Sequence, residues 1–201
     1  MGTRENLLKA ASDLMREVGF EGMTTAQIAK RAGVAEGTIY RHFTGKEALI
    51  EAVFKGIWAS LNTYMEDHLP PRSEPAARLD AWFPTTLGGL EEVMKDYHSL
   101  SQQEQLYYAS KQQCCGEPLP AGLTDYVDLL EEAIREAQKV AHVRPEVDPK
   151  VAALFIFAGA STVLDVYGDP TRCGASVLDP AHVVDQLDRL TRAMILVGGA
   201  R

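Results

Sequence analysis

A chain of 201 residues that is 46% hydrophobic and 24% charged has the makeup of an ordinary globular protein, long enough for one large domain or two small ones. Its three cysteines, Cys114, Cys115 and Cys173, are too few for a disulfide framework, and its longest apolar run, residues 151–164, is too short to cross a bilayer and stops at Asp165. The net charge of −8 argues against nucleic acid only until it is divided: residues 1–46 carry seven Lys or Arg against five Asp or Glu, and residues 47–201 thirteen against twenty-three.

In chain order, Leu7, Leu8, Ala11, Leu14, Met15 and Val18 recur at three- and four-residue spacing, which predicts an amphipathic first helix ending near Gly19. No basic start precedes an apolar block, so no signal peptide is expected and the reading is a cytoplasmic protein. Thr24 with Gln27 and Thr44 with Glu47 fit the capping box, and Gly33 stands where a short helix must end and turn. These signals predict a helix over about 25–32, a tight turn, a helix over about 36–42 and a long helix from about 46: a helix-turn-helix.

On a wheel of the second of these helices, Ile39 and Phe43 share the inward face. Gly37, Thr38, Tyr40 and Arg41 face outward: small groups, hydrogen bonders and one cation, suited to close approach to phosphates and base edges. The glycine in this short element costs roughly 1 kcal/mol of helix propensity, which suggests that clearance rather than stability selects it.

The stretch GVAEGTIYRHFTGKEAL, within Thr24 to about Val53, resembles the DNA-binding motif of the TetR family of bacterial transcriptional regulators. The resemblance implies that Thr24 and Thr25 contact phosphate, that Glu36, Gly37, Thr38 and Arg41 lie toward bases, and that Tyr40, His42 and Lys46 hold the phosphate backbone. Two features depart from the motif. Ala35 lacks a capping hydroxyl, and Glu36 brings a carboxylate near DNA, either to accept from a cytosine amino group or to favour the helix N-terminus.

The rest of the chain also reads as helix. LPPRSEP (69–75), residues 114–122, RPEVDP (144–149) and residues 167–180 punctuate it, and Asp148-Pro149 and Asp179-Pro180 pair a cap with proline at a first helical position. Pro84 and Gly88-Gly89 are expected to break or kink the fifth helix. The expectation is an all-α protein of about nine helices: a DNA-binding head over residues 1–46, and a body over 47–201 entered by the long helix from about 46.

The resemblance implies that this body senses a ligand and dimerises. Val183, Leu187, Leu190, Met194 and Val197 follow a four-three-four-three spacing, and the preceding helix carries the small residues Ala158, Gly159, Ala160 and Ser161. Ala158, Ser161, Val183, Leu187, Leu190 and Met194 are the expected homodimer interface, and two-fold symmetry makes the operator a rough palindrome in double-stranded DNA. Trp58, Tyr64, Trp82, Phe83, Met94, Tyr97, Tyr107, Tyr108 and Phe155 are candidates for the pocket of a largely apolar or aromatic effector, with His98, Gln103 and Glu104 to orient it. Adjacent Cys114 and Cys115 suit neither an unstrained disulfide nor a common zinc spacing.

No histidine has a glutamate three residues before it, and there is no phosphate loop, GxSxG or zinc signature, so neither an enzyme nor a cofactor is expected. The leading reading is a repressor released from its operator by a small molecule; a DNA-coating or cell-division protein with the same head and no effector is the alternative.

Overall fold

The structure, a computed structural model, describes residues 2–93, 107, 121–167 and 180–198. Among them are nine α-helices, one 3-10 turn and no strand. They divide into two compact units: Met1–Ala59 with Ser99–Gly122, and Ser60–His98 with Leu123–Arg201.

In the first unit, α1 (Thr3–Gly22) buries Leu7, Ala11, Leu14 and Met15 of the stripe its spacing predicts, together with Ala10, while Leu8 is only partly buried. Val18, read as part of that stripe, is half exposed, because Gly19 interrupts the helix with φ 73° and turns the chain before one further turn to Gly22. α2 (Thr25–Ala32) begins at its expected capping box: the Thr24 hydroxyl accepts from the Gln27 amide at 3.2 Å, and Gln27 Oε1 accepts from the Thr24 amide at 2.8 Å. It ends at Gly33, whose left-handed φ of 69° is a conformation that disfavours a side chain. Arg31 clamps Glu17 of α1 with two bonds of 2.7 Å, holding the Glu17 carboxyl below its ordinary value.

A 3-10 turn (Glu36–Thr38) then runs directly into α3 (Ile39–His42). The helix expected over 36–42 therefore starts as a tighter turn. Ala35 offers no capping side chain, and the Thr38 amide bonds back to the Ala35 carbonyl at 2.9 Å. α4 (Lys46–His68) follows; the Leu49 amide reaches the Gly45 carbonyl, so Gly45 caps it, one residue beyond the start marked by Thr44 and Glu47. The boundary between the units falls inside α4. Its first half places Leu49, Ile50, Val53 and Phe54 in the core of the first unit.

The second unit takes the rest of α4, then α5 (Pro75–Asp80), α6 (Trp82–Val93), α7 (Ala121–Lys139) from Leu123 onward, α8 (Pro149–Tyr167) and α9 (Pro180–Ile195). α8 starts where Asp148-Pro149 predicts, with Asp148 Oδ1 accepting from the Val151 amide at 2.9 Å, and α9 starts at Pro180. α6 does not break at Pro84 or at Gly88-Gly89. Pro84 lies in the first turn, where no intrahelical bond is lost, and both glycines remain helical. Gly89 serves contact instead: a Cβ there would lie 2.7 Å from Leu61 Cδ1 and 2.8 Å from Tyr64 Cδ1 of α4.

At the centre of this unit the Trp82 indole donates to the Tyr126 hydroxyl at 3.0 Å, and that hydroxyl bonds Thr86 Oγ1 at 2.9 Å. Thr86 in turn donates to the Trp82 carbonyl at 2.9 Å, closing a buried ring. Burial pushes the Tyr126 phenol up, against the lowering effect of its Thr86 and Trp82 bonds. Arg78, 5% exposed, spans Glu66 Oε2 and the Pro70 carbonyl, both at 2.8 Å.

Candidate nucleic-acid interface

The outward face of the recognition element, residues 36–42, is set by what its inward face anchors. Ile39 is fully buried and Phe43 nearly so, packed with Ile28, Ala29 and Leu49 in the core of the first unit. The Arg4 guanidinium covers the Phe43 ring at 5.3 Å. With these two fixed, Glu36, Gly37, Tyr40, Arg41 and His42 are exposed and Thr38 is half buried. Tyr40 is 58% exposed, large for an aromatic ring without an external partner.

A Cβ added at Gly37 would meet nothing within 4 Å, and its φ is not left-handed. Neither packing nor backbone conformation within the chain requires glycine at this position. The open space lies on the exposed side of the element, next to Tyr40 and Arg41.

Around this face the polar groups are partly engaged. Lys46 reaches the Glu21 carbonyl at 3.4 Å, which occupies one of its three donors. The Thr24 hydroxyl donates to Gln27 Oε1 at 3.0 Å, and the Thr25 hydroxyl donates to Glu36 Oε1 at 2.6 Å. Each threonine therefore spends its single hydroxyl proton inside the protein. At the start of α2 the Gln27 amide is capped and the Ile28 amide bonds the Thr24 carbonyl at 3.0 Å. The amides of Thr25 and Ala26 remain for an anion, at the positive end of the helix. The resemblance implied phosphate contacts at Thr24 and Thr25 without naming the atoms; in the structure their hydroxyl protons are engaged and the amides of Thr25 and Ala26 are the open donors.

The residues read as pocket and interface are placed as follows. Trp82 and Phe83 touch a cavity of about 20 Å³, also lined by Leu130, Ile156 and Ile195, with room for about one water. Trp58 is buried, close to Gly122, whose added Cβ would lie 2.6 Å from it. Tyr64 stacks on His68 at 3.9 Å. Two candidates stand apart from a body pocket. Tyr107, 3% exposed, is packed in the core of the first unit, edge-on to Phe20 at 5.4 Å and against Phe54 at 5.9 Å, with its hydroxyl on Glu51 at 3.2 Å. Phe155 is 54% exposed on α8. Met94, Tyr97, His98, Gln103, Glu104, Tyr108, Cys114, Cys115 and Cys173 lie outside the described residues, as do the side chains of Ser161 and Val183.

A cleft of about 140 Å³ that the sequence does not mark brings Arg72, Pro75 and Arg78 against Leu129, Glu132, Ala133 and Glu136; the two groups are more than fifty positions apart, so no local pattern shows it. Among the described residues no cluster of His, Cys, Asp or Glu could hold a metal, and no helix is long and apolar enough to cross a membrane.

Residues 7–53 match the family model described as bacterial regulatory proteins, tetR family. The chain is 26% identical over 161 residues to the HTH-type transcriptional repressor KstR2 of Mycobacterium tuberculosis, covering 76% of this chain and 75% of that protein. It is 38% identical over 68 residues, 34% of its length and 30% of the relative's, to the class A tetracycline repressor of Escherichia coli transposon 1721. The structure of SmeT, repressor of the Stenotrophomonas maltophilia multidrug efflux pump SmeDEF, superposes with a TM-score of 0.71 at 25% identity, over 100% of this chain and 94% of that one.

Proposed function

We propose, for a chain that belongs to the TetR family of bacterial transcriptional regulators and is thus a DNA-binding regulator, that it acts as a homodimeric repressor released from a roughly palindromic operator by a small molecule. The observation that carries the reading is the recognition element itself. Ile39 and Phe43 hold it to the core while Gly37, Tyr40 and Arg41 face solvent, with a glycine whose missing side chain nothing in the protein requires.

Residues 1–46 form the DNA-binding part of this reading and residues 47–201 the effector-binding and dimerising part. In the interface, Arg41 and Thr38 read bases beside Gly37, while Tyr40, His42, Lys46 and the first amides of α2 hold phosphates. Dimerisation is supported by the outer face of the second unit. Val151, Leu154, Phe155 and Ala158 form one exposed stripe along α8, and Leu190 and Met194 on α9, with Val197 just after its end, form another; the two helices pack together. So much apolar surface on adjoining helices suits burial against a second copy.

The effector of this reading is a largely apolar or aromatic molecule taken up in the second unit; the cavity beside Trp82 and Phe83 holds about one water, so uptake there requires it to widen. It must bind the released form more tightly than the operator-bound form, or it shifts nothing. A coating role without effector gains no support from the three relatives, all named as repressors.

The test is selection of duplexes from a random-sequence library by the full-length protein, followed by light scattering with and without the selected DNA. A single enriched, two-fold symmetric sequence bound by a dimer is expected. A monomer, or dispersed binding with no enriched sequence, overturns the reading. Val151→Glu with Leu190→Glu should convert the dimer to monomer and cost operator affinity.

A further inference from the structure

The Thr25–Glu36 hydrogen bond settles a question that the position of the carboxylate raises. Glu36 is exposed at the first residue of the recognition element, on a face that meets a polyanion in the DNA-binding reading on which this inference rests. Phosphates within about 10 Å disfavour a carboxylate there unless it gains a partner. The 3-10 turn that it begins continues into α3, and the N-terminus of this short element favours an acid without fixing where its oxygens point. Within the described residues its partner is the Thr25 hydroxyl, 11 positions earlier in the chain, at 2.6 Å on Oε1. That bond is short and charge-assisted, and it ties the carboxylate to the first turn of α2, itself held to the core by Ile28 and Ala29. Oε2 is left to accept.

We propose that Glu36 reads a cytosine in each half of the operator, and that Thr25 is its positioning residue rather than a phosphate contact. A carboxylate is an acceptor only. In the major groove guanine and thymine present acceptors, which repel it; adenine presents a donor beside its own N7 acceptor; cytosine presents its N4 amino donor and no acceptor of its own. The carboxylate therefore favours cytosine and penalises the other three bases. Because Thr25 has one hydroxyl proton and gives it to Glu36, the hydroxyl cannot hold a phosphate and position the carboxylate at once.

The experiment is selection from a random duplex library by the wild-type chain and by Glu36→Gln, Thr25→Val and Thr25→Ser, with salt titrations of each on the wild-type sequence. Thermal melts confirm that each variant folds. The wild type should select cytosine at one position per half-site. Glu36→Gln should exchange that cytosine for adenine, which glutamine pairs through N6 and N7, with a change in base preference of about tenfold or more. Thr25→Val should weaken the cytosine preference at that position alone and leave the salt slope unchanged, and Thr25→Ser should restore it. A cytosine preference intact in Glu36→Gln overturns the reader. A Thr25→Val protein that loses affinity uniformly with a shallower salt slope, its base preference intact, overturns the positioning role. If the wild type enriches a clear operator with no cytosine dependence, this inference fails while the DNA-binding reading stands; if it enriches nothing, both fall.

Discussion

Replacing Gly37 separates folding from DNA binding more cleanly than any other change in the recognition element. A Cβ there meets nothing within 4 Å, so Gly37→Ala introduces no clash. Removing a glycine from a helical turn with compatible backbone gains roughly 0.5–1 kcal/mol, through lower freedom of the unfolded chain and better helix propensity. For a chain of this size that corresponds to an increase in Tm of about 1–4 °C. Gly37→Leu should fold equally well, its extra atoms entering the same open space. In the DNA-binding reading that space is where bases approach, so each added carbon moves the element outward or displaces a contact. Losing the equivalent of one good base contact costs about 1–3 kcal/mol, or roughly fivefold to 150-fold in affinity. Melting curves and fluorescence anisotropy on a selected operator read both quantities from the same samples. Leucine should weaken binding more than alanine while Tm does not fall. Operator affinity within twofold of wild type for Gly37→Leu, with the fold intact, would refute the clearance argument.

Arg41→Ala should cost about 1–3 kcal/mol and relax one operator position, whereas Lys46→Gln should weaken binding across all sequences and make its salt dependence shallower; both are read by anisotropy at several salt concentrations. Tyr107→Phe, which removes only the hydroxyl on Glu51, should cost about 1 kcal/mol of stability, and Tyr107→Ala about 3–5 kcal/mol with loss of amide protection in α1 and α4. Protection lost only in α6 to α9 would contradict its place in the first core. The Arg31 clamp lowers the Glu17 carboxyl below its ordinary value of 4.5, so its stabilisation is present above that pH and is lost as pH falls through the depressed native value. Glu17→Gln should therefore narrow the gap in Tm between pH 7 and pH 3, and an unchanged gap would show that the pair contributes nothing.

Much of the head was legible because its signals are local. A threonine and glutamine three apart, a glycine after a short apolar period and a proline after aspartate each act over one or two turns, and α2, the Gly33 turn and α8 begin or end where these signals stand. The inward placing of Ile39 and Phe43 follows from helical spacing alone. What depended on distant contacts was not legible. Whether Gly88-Gly89 breaks α6 was decided by the side chains of Leu61 and Tyr64, which need the missing Cβ for close packing. Tyr107 looked like one aromatic among many in the body, until the fold set it between Phe20 and Phe54, some 87 and 53 positions away, in the core of the first unit. Nothing in the local sequence marks Arg78 for burial; Glu66 and the Pro70 carbonyl enclose it only in the folded unit. The Thr25–Glu36 bond joins two residues that the resemblance marks separately, one as a phosphate contact and one as lying toward bases. The sequence alone determined which turns are helical and which face of each short helix is apolar, because helix periodicity and capping act within a few residues. Only the tertiary structure decided which polar groups are already spent on one another, because a hydrogen bond depends on positions that come together after the helices have packed.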